Sequence, residues 1–277
     1  MTKKYIGLIG CGAIGTNLAL ALESGSVANS SLIALFDIVE NSAKNLKAKL
    51  KSSPAVYPDF ARFVNCPADV IIEAASQDAV RKFGTSIIKA NKDLIVMSVG
   101  ALADSAFMSE LLEVTSSKKG RCRIYVPSGA IAGIDAIRSI RHHADSIMLT
   151  TTKSSKALAG APFFETSKVC LDDITKPTVI YEGSAAEAVK MFPANVNVAA
   201  VLSLAGLGVD KTRVRIIVNP KATTNQHEIV ASGTFGDLKI TVNNVPIPGN
   251  PKTSFLAVLS ALECLRSISD ESVRIGS

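Results

Sequence analysis

A glycine-rich turn near the start of the chain is the feature that most constrains its fold. Residues 5–9 (YIGLI) are an apolar run that predicts a strand, residues 10–15 (GCGAIG) follow directly, and a helical pattern comes next. In this order Gly10 permits a tight turn, Gly12 lets the backbone approach a pyrophosphate, and Gly15 lets the helix pack against the strand. The N–H groups and positive dipole end of such a helix attract an anion. The pattern predicts a dinucleotide-binding βαβ unit.

A carboxylate follows the second predicted strand, where the adenosine ribose of a dinucleotide would lie. The apolar run 31–36 (SLIALF) ends at Asp37, 22 positions after the last glycine of the turn. A carboxylate there accepts hydrogen bonds from the ribose hydroxyls and repels a 2′-phosphate, so Asp37 favours NAD over NADP. The nearby Lys44, Lys47 and Lys49 leave NADP open. The alternative is an aspartate that only caps the next turn.

The first half of the sequence alternates predicted strands and helices. Apolar strands joined by helical crossovers predict a parallel sheet buried on both faces. Each strand ends in small residues, such as Ala75 and Ser76, along the edge where doubly wound sheets bind ligands. The sequence therefore predicts an α/β fold with a Rossmann-type doubly wound parallel sheet over residues 1–130. Helices are expected over about 40–51, 78–90 and 104–117, and a last strand over 121–126.

The pattern changes after about residue 131, where β-like segments mix with helices. Residues 228–232 and 238–242 flank a glycine-containing turn and predict an antiparallel hairpin. We expect a second, α+β domain over residues 131–250 that carries the substrate, and a final helix after Pro251 that packs back on the first domain with the segment 251–277. Further strands are expected over 147–152 and 212–218, and helices over 184–191 and 194–205.

Composition excludes several classes of protein. No apolar stretch reaches the ~18 residues of a membrane span, and the first strand begins at once, so we expect no signal peptide and a cytoplasmic location. The five cysteines are scattered without CxxC spacing, which argues against a metal site or a disulfide framework and makes Cys11 a small filler. The net charge of +6 favours anionic ligands, but the basic residues form no stripe, so no nucleic acid is expected.

Three segments outside the glycine turn are candidates for chemistry. His227 lies in a polar stretch that is interpreted as a turn entering a strand; its imidazole suits proton transfer, and the alternative is a loop histidine. His142 and His143 are expected at a solvated helix end. Asn195 and Asn197 begin a helix, where an amide either caps the helix or contacts a nicotinamide carboxamide.

The segment 250–254 (NPKTS) also predicts a helix start. Its N–H groups, its hydroxyls and the ammonium of Lys252 suit a carboxylate ligand. The alternative is a capped helix end in solvent.

Six blocks in this order resemble the L-aspartate dehydrogenase family: residues 7–15, 73–77, 127–137, 182–200, 227–229 and 250–262. The resemblance implies reversible NAD(P)-dependent oxidative deamination of L-aspartate through iminoaspartate to oxaloacetate and ammonia, with a place in NAD synthesis. It puts His227 on the catalytic histidine of the family. It puts Ala130 and Asn197, the latter preferred to Asn195, on cofactor contacts.

The resulting site has two predicted parts. The expected cofactor contacts are Gly10, Gly12, Ala13, Ile14, Gly15, Asp37, Ala75, Ser76, Ala130, Asn195 and Asn197. The candidates for the substrate carboxylates, chosen by their chemistry, are Ser128, Gly129, Lys252 and Thr253. We also expect a homodimer through the second domain, because such β-rich domains often pair.

Two other readings remain open. One is a related two-domain reductase of another small acid, similar to dihydrodipicolinate reductase or homoserine dehydrogenase. The paired histidines of the first are usually followed by a lysine, whereas His142 and His143 are followed by Ala144 and Asp145. The other is a non-catalytic dinucleotide sensor, which would keep the glycines and dispense with His227.

Overall fold

The computed structural model describes residues 3–193, 197–247 and 250–269, and for residues 251 and 252 the backbone alone. Contacts divide the described chain into two compact units, residues 3–127 with 258–269, and residues 128–257. None of the described helices combines the length and the apolar character that crossing a membrane requires.

The first unit contains a parallel six-stranded sheet. Its strands are β1 (Lys4–Ile9), β2 (Ser30–Phe36), β3 (Ala55–Val56), β4 (Val70–Glu73), β5 (Asp93–Val96) and β6 (Ile124–Tyr125). Its connecting helices are α1 (Ala13–Glu23), α2 (Glu40–Lys47), α3 (Phe60–Val64), α4 (Gln77–Lys89) and α5 (Ser105–Ser117). The strand order β3-β2-β1-β4-β5-β6 reverses between β1 and β4, which defines a doubly wound sheet and confirms the predicted fold class.

The boundaries in this unit follow from local hydrogen bonds. The Ser76 hydroxyl accepts from the Ala79 N–H and starts α4, and the Asp104 carboxylate accepts from two N–H groups and starts α5. Helix α2 ends at Lys47, earlier than predicted. The last strand is also shorter than the predicted 121–126, because only Ile124 and Tyr125 pair with β5.

The second unit contains a mixed five-stranded sheet. Its helices are α6 (Ile134–Ile140), α7 (Ser155–Leu158), α8 (Phe163–Thr166), α9 (Ala185–Met191) and α10 (Asn197–Ala205). Its strands are β7 (Ala144–Lys153), β8 (Thr178–Ser184), β9 (Arg213–Val218), β10 (Asn225–Gly233) and β11 (Gly236–Asn244), in the order β11-β10-β7-β9-β8. The predicted hairpin is β10–β11, closed by the Gly233 and Gly236 pair. The sequence patterns did not reveal β8, and they indicated only the solvated end of α6, next to His142 and His143.

The two faces of this sheet differ in polarity. Alternate residues of β7, β9 and β10 are buried, and most of them are apolar: Ile147, Leu149, Val214, Ile216, Val218, Ile229 and Ala231. The opposite face carries cross-strand ion pairs, between Glu228 and Lys239 and between Glu182 and Arg215. This alternation is that of a sheet with one packed face and one polar face.

The segment 250–254 was wrongly predicted to start a helix. It is the strand β13 (Asn250–Ser254), which pairs with β12 (Pro246–Ile247), and the helix α11 begins afterwards (Phe255–Ser269). The N–H of Phe255 donates to the carbonyl of Val245, so this hairpin pairing, rather than a cap at Pro251, fixes where the helix begins. From Val258 onward α11 belongs to the first unit, where Arg266 Nε donates to the carbonyl of Ser26 at 3.0 Å.

Candidate active site

The glycine-rich turn joins β1 to α1, and two positions in it can be occupied only by glycine. Gly10 has φ +91°, in the left-handed region, and a Cβ there would lie 2.6 Å from the carbonyl oxygen of Ala74. A Cβ on Gly15 would overlap the carbonyl oxygen of Gly10. Side chains are therefore excluded at both positions by the protein's own backbone.

Gly12 differs from these two glycines because none of the residues that the structure describes fills the space beside it. A Cβ there would meet no atom of the described chain within 4 Å, although Gly12 stands at the N-cap of α1 with φ −76°. Ala13 and Ile14 form the first turn of α1 and are half-buried. Free space against a helix N-terminus fits a phosphate group, so the residues present fit a dinucleotide.

Asp37 connects the end of β2 to the glycine-rich turn. Its Oδ2 accepts from the Cys11 N–H at 2.7 Å and its Oδ1 from the Val39 N–H at 2.8 Å. The carboxylate thus caps the next turn, which was the alternative role considered for Asp37, and it also fixes the glycine-rich turn through Cys11. The Cys11 side chain is buried, and burial next to Asp37 raises the pKa of its thiol to about 12, which makes it unreactive.

A buried carboxyl group at the end of β4 organises the sheet edge. Glu73 is 1 % exposed and accepts from the Ala75 N–H at 2.8 Å, the Ser98 N–H at 3.0 Å and the Ser98 hydroxyl at 2.8 Å. Burial raises its pKa. Glu73 thereby fixes Ala75, which directly precedes Ser76, the N-cap of α4. Glu73 could not be recognised in this role from the sequence, because it stands inside an apolar strand.

His227 lies inside β10 and is 2 % exposed, so its predicted place in a polar turn was wrong. The reason is that Asn225 and His227 lie on the same buried face as Ile229 and Ala231. Polar residues at buried strand positions give the sequence the composition of a loop. Its Nδ1 is 3.0 Å from Thr151 Oγ1, directly across the sheet on β7. Burial and the positive charge of Lys153 lower the pKa of His227 to about 3. The imidazole is therefore neutral at physiological pH.

Buried amides extend the polar end of this sheet face. Asn225 Nδ2 donates to Ser254 Oγ at 3.3 Å, and Asn244 Nδ2 donates to the carbonyl of Ala130 at 2.9 Å. Asn225 and Asn244 are register partners on β10 and β11. Ala130 was predicted from the sequence, but neither asparagine was. Their two-residue spacing from His227 and Val242 could have placed them on one face.

The remaining predicted residues lie in several parts of the second unit. Ser128 and Gly129 are half-buried, with Gly129 at φ +68°, and Asn197 begins α10. Thr253 Oγ1 accepts from Asn250 Nδ2 at 3.2 Å within β13. Asn195 lies outside the described residues, and so does the side chain of Lys252. His142 and His143 are exposed beyond the end of α6. Among the described residues, no three His, Cys, Asp or Glu side chains are grouped to hold a metal.

The fold, the glycine-rich turn with Asp37, and the buried pair of His227 and Thr151 define a class of protein: the Rossmann-type, dinucleotide-dependent oxidoreductases. Residues 10–127 match the model of the homoserine dehydrogenase NAD-binding domain. Residues 135–268 match the model of the aspartate dehydrogenase C-terminal domain.

Curated relatives narrow this class. The L-aspartate dehydrogenase of Nitrosopumilus maritimus (strain SCM1) is 45 % identical over 274 residues, 99 % of this chain and 100 % of its own length. That of Methanococcoides burtonii is 45 % identical over 266 residues, 96 % of this chain and 97 % of its own. The crystal structure of aspartate dehydrogenase from Thermotoga maritima is similar with a TM-score of 0.76 at 27 % identity, over 98 % of this chain and 99 % of that one.

The chain belongs to the L-aspartate dehydrogenase family and is an oxidoreductase. The resemblance inferred from the sequence blocks is thereby confirmed. A myo-inositol dehydrogenase from Lactobacillus casei in complex with NAD(H) and myo-inositol shares the fold, with a TM-score of 0.55 at 15 % identity.

Proposed function

We propose that this chain catalyses the reversible NAD-dependent oxidative deamination of L-aspartate, with His227 as its catalytic base. The first product is iminoaspartate, and water converts it to oxaloacetate and ammonia. The observation that carries the proposal is a buried, neutral imidazole held by Thr151 in a chain of this family. NAD, when bound, accepts the hydride that leaves Cα of the substrate.

In this proposal the two ring nitrogens of His227 have different tasks. A base needs the tautomer in which Nδ1–H donates to Thr151 Oγ1, 3.0 Å away, so that Nε2 keeps its lone pair. Nε2 then takes a proton from the substrate amine and releases it to solvent. In the hydrolytic step the regenerated lone pair takes a proton from the water that attacks the imine carbon, and returns it to the ammonia that leaves. A low pKa keeps that lone pair free before the substrate binds.

The first unit would hold the pyrophosphate and the adenosine ribose of the cofactor, and the second unit would supply the substrate contacts and the cofactor contacts predicted after residue 127. Backbone N–H groups of the turn would bind the pyrophosphate, Asp37 the ribose, and residues at the sheet edge and beyond it the rest of the cofactor: Gly10, Gly12, Ala13, Ile14, Gly15, Ala75, Ser76, Ala130, Asn195 and Asn197. Ser128, Gly129, Lys252 and Thr253 remain the candidates for the substrate carboxylates.

We expect Asp37→Ser to shift cofactor preference toward NADP. The carboxylate would repel a 2′-phosphate, and removing it should lower the ratio of kcat/KM for NAD over NADP by about tenfold or more, which corresponds to ~1.4 kcal/mol. Because Asp37 also accepts from Cys11 and Val39, activity with NAD should fall as well. Initial rates with each cofactor measure the ratio, and an unchanged ratio would remove Asp37 as the determinant.

A cytoplasmic enzyme that supplies iminoaspartate to NAD synthesis is the physiological role we propose. Free thiols suit a reducing compartment, and all five cysteines, each within the described residues, are free. Accumulation of iminoaspartate-derived products in cells that express the chain would test this role.

We also propose a homodimer through the polar face of the β7–β11 sheet. Val179 and Val230 are exposed on this face, which also carries the Glu182–Arg215 and Glu228–Lys239 ion pairs, so it offers both apolar side chains and charges of both signs to a second copy. Light scattering should give twice the mass of 29.0 kDa, and Val230→Asp should halve it. A monomeric wild type would end this proposal.

The reaction itself is tested by absorbance at 340 nm with oxaloacetate, ammonia and NADH. We expect oxidation of NADH that stops when ammonia is omitted. NADH that binds without ammonia-dependent turnover would instead favour another small acid as the substrate, or the non-catalytic sensor.

A further inference from the structure

Lys153 is a buried cation on the same sheet face as His227. It ends β7, is 3 % exposed, and follows Thr151 by two residues, so both side chains point to the face that His227 shares across the Thr151 pair. Two residues of a strand span roughly 7 Å. Lys153 is therefore the next residue on this face of β7 after Thr151, the register partner of His227.

This position is unusual for a lysine, because burying a charge costs free energy. Burial lowers the pKa of Lys153 from 10.5 to about 8, which leaves the ammonium form predominant at neutral pH. Its charge acts on His227, whose pKa it helps to lower. The neighbouring buried side chains Leu149 and Val218 pack without any charge, so filling the face does not require an ammonium group.

The remaining buried polar side chains of the second unit, within the part that the structure describes, are uncharged near neutral pH: Thr151, Ser203, Thr212, Asn225, His227, Asn244 and Ser254. Thus the ammonium group of Lys153 acts on a neutral base at the polar end of a face whose other described strand residues are mostly apolar. An amino acid with two carboxylates and an amine matches this arrangement, since the ammonium suits a carboxylate and the imidazole suits the amine.

We propose that Lys153 is a substrate-binding residue whose ammonium group forms an ion pair with a carboxylate of L-aspartate while His227 faces the substrate amine. The inference rests on the proposed function and adds to it a residue that no motif in the sequence indicated. A carboxylate that leaves water for this position gains a charge-assisted hydrogen bond in a low-dielectric environment. Lys153 therefore sets the affinity for the substrate rather than for the cofactor.

The test compares Lys153→Met, which keeps an unbranched side chain one atom shorter and removes its charge, with Lys156→Met, a change at an exposed lysine three residues away. With ammonia and NADH saturating, we expect Lys153→Met to raise KM for oxaloacetate about 100-fold and to change KM for NADH less than twofold. Lys153→Arg should recover part of the loss, and Lys156→Met should behave as wild type. A folded Lys153→Met with the wild-type KM for oxaloacetate would overturn the proposal.

The activity with pyruvate, which has only one of the two carboxylates of oxaloacetate, shows which substrate carboxylate Lys153 binds. If Lys153 binds the carboxylate that pyruvate lacks, Lys153→Met lowers kcat/KM for oxaloacetate alone; if it binds the shared one, both values fall. Either result supports the ion pair.

Succinate supplies a readout that does not depend on turnover. It should raise the melting temperature of the wild type and of Lys156→Met, and leave that of Lys153→Met unchanged. An equal rise in Lys153→Met would contradict the ion pair, and Lys153→Gln replaces this variant if it does not fold. A wild type without ammonia-dependent turnover would refute the proposed function, whereas a wild type that turns over beside an unaffected Lys153→Met would refute the role of Lys153 alone.

Discussion

His227→Ala should lower kcat for the reductive amination of oxaloacetate by about 10²- to 10⁴-fold, the range that a positioned general acid–base contributes. The imidazole is buried, neutral and held by Thr151 at 3.0 Å, so alanine removes the proton acceptor and its positioning together. Binding of NADH should change less than twofold, because the proposed pyrophosphate and ribose contacts lie in the first unit. Stopped-flow or steady-state absorbance at 340 nm measures the rate, and fluorescence titration measures the binding.

Two variants separate a chemical role from a structural one. His143→Ala removes an exposed imidazole and should leave kcat unchanged. Thr151→Val removes the hydrogen-bond partner of Nδ1 and should lower kcat by less than His227→Ala does, because Nε2 survives in a mixture of tautomers. Equal activity of His227→Ala and wild type, with both folded, would rule out the base.

The low pKa of His227 also predicts how stability depends on pH. The folded value is about 3 and the ordinary value is 6.5, so below pH 6.5 the unfolded chain binds a proton that the folded chain excludes. Stability is therefore fully present above pH 6.5 and falls with pH toward 3, by up to about 1.4 kcal/mol per pH unit for this group. Urea unfolding between pH 7 and 4 measures the slope, and His227→Asn should flatten it.

The sequence was sufficient to predict the first unit, because its signals are local. A glycine turn can be recognised without knowledge of the rest of the chain, and Gly10 and Gly15 stand where backbone contacts exclude a Cβ. Apolar strands without alternation correctly indicated a parallel sheet buried on both faces. Glu73 was missed because its partners at Ser98 come from another strand end, 25 positions later.

The second unit was harder to predict because its site depends on pairing across the sheet. Thr151 and His227 are 76 positions apart and meet only through the register of β7 and β10. Lys153 gave no signal as a single residue among many lysines. The local sequence of the segment 250–254 is compatible with a helix start. The segment forms a strand because it pairs with Pro246 and Ile247, a contact that the local sequence does not indicate.

Gly15→Ala should mainly lower the stability of the fold, whereas Gly12→Ala should mainly weaken the binding of NADH, although both variants replace a glycine of the same turn. A Cβ on Gly15 overlaps the carbonyl oxygen of Gly10, which is backbone and cannot rotate away. Relief requires α1 to move from β1, so Gly15→Ala should lower the free energy of unfolding by about 3 kcal/mol, the upper end of the usual cost of overpacking. Urea unfolding without cofactor measures this loss.

Gly12→Ala places its methyl group in open space, and φ −76° suits alanine. Its stability should change by about 1 kcal/mol or less, the usual cost of alanine at an N-cap. The methyl group would occupy the space proposed for the pyrophosphate, so Kd for NADH should rise about 100-fold, equivalent to ~2.7 kcal/mol.

Gly84→Ala in α4 is the matched control, since its Cβ would lie 3.5 Å from Phe107 in ordinary contact. Alanine in a helix interior should stabilise the protein by about 0.5–1 kcal/mol and leave Kd for NADH unchanged. If Gly12→Ala bound NADH as tightly as Gly84→Ala, the open space beside Gly12 would not be the pyrophosphate site. Loss of stability in Gly15→Ala alone, with loss of affinity in Gly12→Ala alone, would show that one turn contains a glycine required by the fold and another required by the ligand.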